Sequence, residues 1–343
     1  MKKLLNTLYV SIEDAYLSLD GENIIVTSDG EKIGRFPLHN LENIVSVGYR
    51  GVSPALIGKC ANDNISLNFI SRSGRLLGSF NGESKGNVLL RKEQYRISDT
   101  ANISLEYSRN FIIGKLYNSK YVLERITRDY PLRVDVDKIK KISAKLSSSI
   151  KDVYSCSSLD SLRGIEGEAA SQYFSVFDEM ILQQKDEFVF SGRNKRPPKD
   201  NVNALLSLSY TLLSIMCASA LEVVGLDAYV GFMHTDRPGR RSLALDLMEE
   251  LRSIFADRFV LTLINKKIIS PNDFLQSENG AVLLTDNGRK KFFSEWQKKK
   301  METITHPFLK EKMEWGVVPY SQALLLSRAI RGDLDGYPPF LWK

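Results

Sequence analysis

The sequence predicts an α+β protein: an N-terminal β-sheet domain followed by a larger all-α domain that carries the chemistry. Two observations point there. Apolar residues alternate with a period of two up to about residue 80, and after a turn-rich stretch at 81–86 they recur every three or four residues to the end. A chain of 343 residues, 43% hydrophobic and 26% charged, also has the length for roughly two domains that each bury a core. The expected division is residues 1–86 for the β-domain, 87–100 for a linker and 101–343 for the helical domain.

The β-domain reading begins at residue 5. Leu8, Val10 and Ile12 alternate with Tyr9, Ser11 and Glu13, and Ala15, Leu17 and Leu19 continue the period. Asp20-Gly21 and Asp29-Gly30 are hairpin turns by composition. A short helix is expected near 53–61, then an alternating run at Ile65, Leu67 and Phe69, a turn at Ser73-Gly74, and a strand over 76–80. In the helical part, 88–96 reads as a linker helix. Ile112, Leu116, Leu123 and Ile126 form one stripe, and Ile139, Ile142, Leu146, Ile150 and Val153 form another beyond Pro131. A helix is expected over 159–182, its stripe formed by Leu162, Ile165, Ala169, Tyr173 and Val176. Asp200 is positioned to cap a helix over 202–224 that is apolar nearly all round, hence central, and Gly225 to stop it. Ser242 is read as the cap of the following helix; further helices are expected near 289–301 and 321–330, before an aromatic tail at 337–342.

Composition narrows the function classes. Cys60, Cys156 and Cys217 are odd in number and lack CxxC spacing, so they read as core thiols rather than a disulfide framework or zinc cluster. The most apolar segment, 202–224, is interrupted by Asn203, Ser207, Ser209, Ser214 and Glu222, and residues 1–20 have no signal-peptide core. No membrane role and a cytoplasmic location are therefore expected. The net charge of +6 is unevenly spread. Arg193, Lys195, Arg196 and Lys199 crowd the loop FVFSGRNKRPPK, Arg237, Arg240 and Arg241 flank a histidine, and five lysines between 290 and 300 lie on a later helix. Basic clusters beside an acidic site suit a phosphodiester substrate.

Residues 231–252, GFMHTDRPGRRSLALDLMEELR, place His234 a short loop ahead of an acidic helix. Leu243, Leu247, Leu251 and Ile254 form its apolar stripe, while Asp246 can share one point in space with Glu249 or Glu250. One imidazole and two carboxylates suit a divalent cation with open positions; the plainer reading is a solvated helix face beside a turn histidine. Glu166 adds a constraint, because it falls inside the apolar stripe of its helix. There a carboxylate is costly unless it is a metal ligand, an ion-pair partner or a protonated acid. His39 reads as structural and His306, before Pro307, as a cap or turn residue.

Four ordered motifs follow one another from residue 162 to the end, LRGIEGEAASQYF (162–174), RPPKDNVNALLSLSYTLL (196–213), the 231–252 segment and RAIRGDLDGYPPFLWK, and they carry a resemblance that covers nearly the whole length. In these the chain resembles the CRISPR-associated integrase, the universal endonuclease of spacer acquisition, most of all its subtype I-C branch. The resemblance implies a metal site on Glu166, His234, Asp246 and Glu249, with Glu249 standing where many relatives have aspartate and Glu250 a candidate substitute. It also implies Mg²⁺ or Mn²⁺ as cofactor and a homodimer formed through the β-domain. The other partners implied are a small second adaptation protein bridging two dimers and an end-trimming adaptation nuclease. The reaction implied is attack by a protospacer 3′-hydroxyl on a phosphodiester at the ends of a CRISPR repeat, with double-stranded and branched DNA as substrates. Arg193, Lys195, Arg196, Arg237, Arg240 and Arg241 are expected to hold phosphates without reading sequence. A non-catalytic DNA-binding scaffold and a hydrolase of small phosphoesters are the alternatives.

Overall fold

The computed structural model describes residues 7–12, 14–48, 50–71, 76–80, 82, 87–194 and 197–342. Leu5, Glu13, the Ser73-Gly74 turn, most of 81–86, Lys195 and Arg196 lie outside the described residues.

The N-terminal part contains β1 (Thr7–Val10), β2 (Tyr16–Asp20), β3 (Asn23–Ser28), β4 (Glu31–Pro37), β5 (Asn43–Val47), α1 (Pro54–Asp63), β6 (Ser66–Ile70) and β7 (Leu76–Phe80). Strands β2, β3 and β4 form an antiparallel meander, and its turns use positive φ at Gly21, Asp29 and Gly30, as the Asp-Gly pairs predict. The other sheet has the order β1-β5-β6-β7, with β1 and β6 parallel to β5. Helix α1 is the crossover that parallel pairing of β5 and β6 requires, and Ser53 caps it by accepting from Leu56 N at 3.2 Å. Both faces of β5 are covered. Ile44 packs in a small core with Leu17, Ile24, Leu56 and Leu67, while Val45 and Val47 belong to the large core of the helical part.

The helical part runs α2 (Val88–Asp99), α3 (Ala101–Asp129), α4 (Val136–Ser155), α5 (Leu159–Ser175), α6 (Asn201–Val224), α7 (Ser242–Glu249), a π-helical segment (Arg252–Asp257) and α8 (Arg258–Asn265). Then follow β8 (Phe274–Gln276), β9 (Val282–Leu284), α9 (Asp286–Met301), β10 (Thr303–Thr305), β11 (Lys312–Glu314) and α10 (Val318–Arg331). The two small hairpins, β8-β9 and β10-β11, are absent from the sequence reading, because three-residue strands are too short to show a period. Helix α5 ends at Ser175, short of the expected 182, where Val176 leaves helical geometry and a 3₁₀ turn carries the chain on.

Helix α6 is central, as expected: Asp200 caps it by accepting from Asn203 N at 2.7 Å, and Gly225 ends it with φ of 86°. By length and composition it could cross a membrane, but 67% of its most apolar window is buried within the protein. Cys60, Cys156 and Cys217 are buried free thiols. His306 is buried, bonded to Gln322 Oε1 at 3.0 Å and accepting from the backbone of Phe308 and Leu309, which makes it the expected turn residue.

The β-sheet rests on α9 and α6. Tyr9 stacks on Phe293 at 4.9 Å, Asn43 donates to Ser219 Oγ, and Lys300 Nζ donates to Thr7 Oγ1 at 2.8 Å. Lys300 is 3% exposed, and burial, partly offset by Glu42, pulls its pKa from 10.5 down to about 8. The folded state therefore holds this proton less tightly than the unfolded chain does. Stability is penalised by about 3 kcal/mol at neutral pH and recovers as pH rises from about 8 toward 10.5. Lys300→Met is expected to melt above the wild type at pH 7 and to lose that lead by pH 10; parallel melting curves at both pH values would refute this.

Candidate active site

The acidic positions 246, 249 and 250 are not a solvated face. Asp246 and Glu250 are fully buried and Glu249 nearly so, because α3, α6, α10 and the loop before α7 surround this helix. Each carboxylate has a different task.

Asp246 binds the loop that carries His234. Its Oδ2 accepts from Phe232 N at 2.7 Å and Met233 N at 3.0 Å, and its Oδ1 from His234 N at 3.0 Å. The same Oδ1 lies 2.6 Å from His234 Nδ1. An ionised carboxylate only accepts, so Nδ1 carries the proton and Nε2 keeps the free lone pair. Gly231 permits this closure: a Cβ there would stand 2.7 Å from Ser242 Cβ and 2.9 Å from Asp246 Oδ2. Arg163 of α5 clamps the loop from the other side, donating from Nε and Nη2 to Met233 O at 3.0 and 2.7 Å. Ser242 is the first helical residue rather than the cap. The position before it is Arg241, without a capping side-chain bond, and Ser242 Oγ donates back to Thr235 O at 3.2 Å.

Glu249 is held by cations. Arg252 Nη1 bonds both of its oxygens, at 2.8 and 3.1 Å, and Lys115 Nζ of α3 stands 2.7 Å from Oε2. Burial alone would raise this carboxyl. The charges of Arg252 and then Lys115 overcome that and hold it well below the usual carboxylate range. Glu166, from α5, meets the same Lys115 Nζ. The structure shows an ion pair, one of the three expected settings for this carboxylate, and this leaves the metal-ligand reading open. One ammonium thus joins the two carboxylates.

Glu250 faces away and does not substitute for Glu249. Gln322 Nε2 donates to its Oε1 at 2.9 Å, Phe340 N to its Oε2 at 2.8 Å, and Tyr337 OH to Oε1. Burial pushes its carboxyl up to about 7 against the pull of these donors. Its contacts, with Asn118 donating to Phe340 O and accepting from Trp342 N, fix the aromatic tail onto its own domain. Gly114 lets α3 approach this closely, since a Cβ there would lie 2.8 Å from Glu250 Cβ.

Beside Glu166 and Lys115 an open cavity of about 610 Å³ is lined by Arg193, Arg252, Phe174 and Phe190 among others. Arg193 and Arg252 both sit over the Tyr210 ring, at 5.2 and 4.4 Å from its centroid. The predicted phosphate-holding residues fall into distinct settings. Arg193 is in the cavity wall, Arg237 is exposed and Arg240 half-buried, while Arg241 is buried against Tyr229, 5.9 Å from its ring centroid. Arg241 thus differs from the other three in being buried, with its guanidinium carbon over that ring. Lys115, Arg163 and Arg252 are absent from the sequence reading, although a lysine inside the apolar run FIIGKL is a detectable anomaly.

The structure thus brings His234 to Asp246, and Glu166 and Glu249 to one lysine. Among the described residues no three His, Cys, Asp or Glu side chains converge closely enough to hold a metal ion as they stand. Both oxygens of Asp246 accept from the loop in this arrangement. Glu166, Glu249 and the free Nε2 of His234 do fit a divalent cation in type, and a positive group already lies between the two glutamates.

Residues 8–298 match the protein family described as CRISPR associated protein Cas1. A CRISPR-associated endonuclease Cas1 of Chlorobaculum tepidum is 46% identical over 343 residues, covering all of both chains. Among solved structures, a casposase bound to integration product superposes with a TM-score of 0.85 at 23% identity, covering 98% of this chain and 93% of that one. A Cas6-RT-Cas1–Cas2 complex gives 0.83 at 22% identity, with all of this chain on 36% of its counterpart.

Proposed function

The chain belongs to the CRISPR-associated Cas1 family, and from that premise we propose that it is a metal-dependent DNA endonuclease and integrase of CRISPR adaptation, with the subtype I-C branch as its place in the family. The observation that carries this reading is the convergence of Glu166 and Glu249 on one cation beside an imidazole oriented by Asp246. Glu166, Glu249 and His234 Nε2 would hold Mg²⁺ or Mn²⁺. The ion supplies Lewis acidity, polarising a phosphodiester and stabilising charge on the attacking or leaving oxygen.

The remaining roles belong to this chain's own side chains. Asp246 fixes the tautomer and direction of His234, as the outer partner of a ligating histidine does. Arg193 and Arg252, at the cavity, present guanidinium groups to the phosphates flanking the reacting one, with Arg252 also neutralising Glu249. Arg237 and Arg240 attract the DNA backbone from outside without reading bases. A 3′-hydroxyl delivered to this site gives strand transfer, and water in its place gives cleavage. The partners in this reading are double-stranded and branched DNA, a second copy of the chain, the small second adaptation protein and an end-trimming nuclease, all in the cytoplasm. A casposase and a Cas1–Cas2 assembly of the same fold are consistent with the first and third of these.

Glu166→Gln tests it. The variant keeps the shape of the side chain and is expected to lose strand transfer between labelled oligonucleotides by about 100-fold or more, with affinity for branched DNA little changed. Wild-type transfer by this variant in Mn²⁺ would remove Glu166 from the reaction.

A further inference from the structure

We infer that Lys115 is a built-in occupant of the metal position, its ammonium joining Glu166 to Glu249 until a divalent cation displaces it into the adjoining cavity. This rests on the metal-site reading above. Three observations carry it. The Nζ lies within ion-pair distance of both carboxylates, which come from two different elements, α5 and α7. Lys115 is 7% exposed in an apolar stretch of α3, so its ammonium faces those two carboxylates rather than open water. Both Lys115 and Glu166 line the cavity of about 610 Å³, which offers a four-carbon stem somewhere to swing.

An ammonium and a divalent ion cannot share the space between two carboxylates, because their repulsion at that separation is large. The lysine therefore has two consequences. With the metal absent it relieves repulsion between Glu166 and Glu249 and keeps α3, α5 and α7 in register. With metal present it must withdraw, and in the cavity it joins Arg193 and Arg252 as a third positive group facing a DNA phosphate. Metal and DNA then favour each other's binding through one side chain, a positioning residue rather than a catalytic one.

The test is Mn²⁺ titration by calorimetry on the full-length wild type, Lys115→Met, Lys115→Gln and, as a site control, His234→Ala. Without the competing ammonium, both Lys115 variants are expected to bind Mn²⁺ about tenfold tighter than the wild type, since apparent affinity is reduced by the fraction of molecules whose site is blocked. They should also melt at lower temperature without metal. A single-stranded oligonucleotide should tighten Mn²⁺ binding in the wild type and not in the variants. A second measurement needs no variant: acetylation of wild-type Lys115, read by mass spectrometry, should be slow without metal and rise when Mn²⁺ is added. If the wild type binds Mn²⁺ through His234 while the Lys115 variants bind it no tighter and Lys115 stays unreactive, this inference alone fails. If no protein in the set binds Mn²⁺, the metal-site reading fails and takes the inference with it.

Discussion

Replacing Asp246 by alanine is expected to abolish strand transfer and to destabilise the fold on the order of 4 kcal/mol. Three backbone N–H groups and the imidazole Nδ1 converge on this one carboxylate, which is fully buried. Removing it leaves those donors without an acceptor where water does not reach, and an unsatisfied buried donor costs about 1–3 kcal/mol. The loop from Gly231 to Arg241 loses its anchor, His234 loses its orientation, and activity falls with both. Asp246→Asn retains acceptor capacity on one side only, so it is expected to fall between the alanine variant and the wild type in melting temperature. Urea denaturation beside a strand-transfer assay separates the two effects. Wild-type stability in the alanine variant would show that the loop is held by something else.

Glu250→Ala is the second large effect, and it acts on the tail. Tyr337 OH, Gln322 Nε2 and Phe340 N all donate to this carboxyl; Gln322 keeps Tyr337 OH as a second acceptor at 2.6 Å, but the hydroxyl of Tyr337 and the N–H of Phe340 would be stranded at a buried position. A loss on the order of 3 kcal/mol is expected, since each buried donor left without an acceptor costs about 1–3 kcal/mol. The tail should also detach. Limited trypsin digestion is expected to cut after Arg331 and release residues 332–343 faster from the variant than from the wild type. Equal resistance in both proteins would mean that the aromatic contacts of Phe340 and Trp342 with Trp315 suffice to hold it.

Local chemistry made much of the fold legible. The Asp-Gly turns, the caps at Ser53 and Asp200, the stop at Gly225 and the all-round apolar character of α6 each depend on residues close in sequence, and each is found. The site was legible as a set of residues but not as a set of roles. Asp246, Glu249 and Glu250 have one sequence signature, acids on a short helix. What distinguishes them is a lysine on α3, an arginine on the next turn and a tyrosine in the tail, contacts that close over long stretches of chain. The error at Ser242 has the same origin, since a hydroxyl suited to capping its own helix is claimed by the carbonyl of Thr235.

The segment Arg252–Asp257 is wound more loosely than the helices on either side, with one extra residue accommodated in its turn. That insertion sets a phase angle. Asp257 at its end, bonded to Tyr210, and Arg258 just beyond it, under Trp342, face their partners with the helix rotated by about one residue's 100° at this point. Deleting a single residue here would let the chain rewind into a regular α-helix. It would nevertheless turn Asp257 and Arg258 away from Tyr210 and Trp342, so the chain tolerates substitution in this segment more readily than a change in its count.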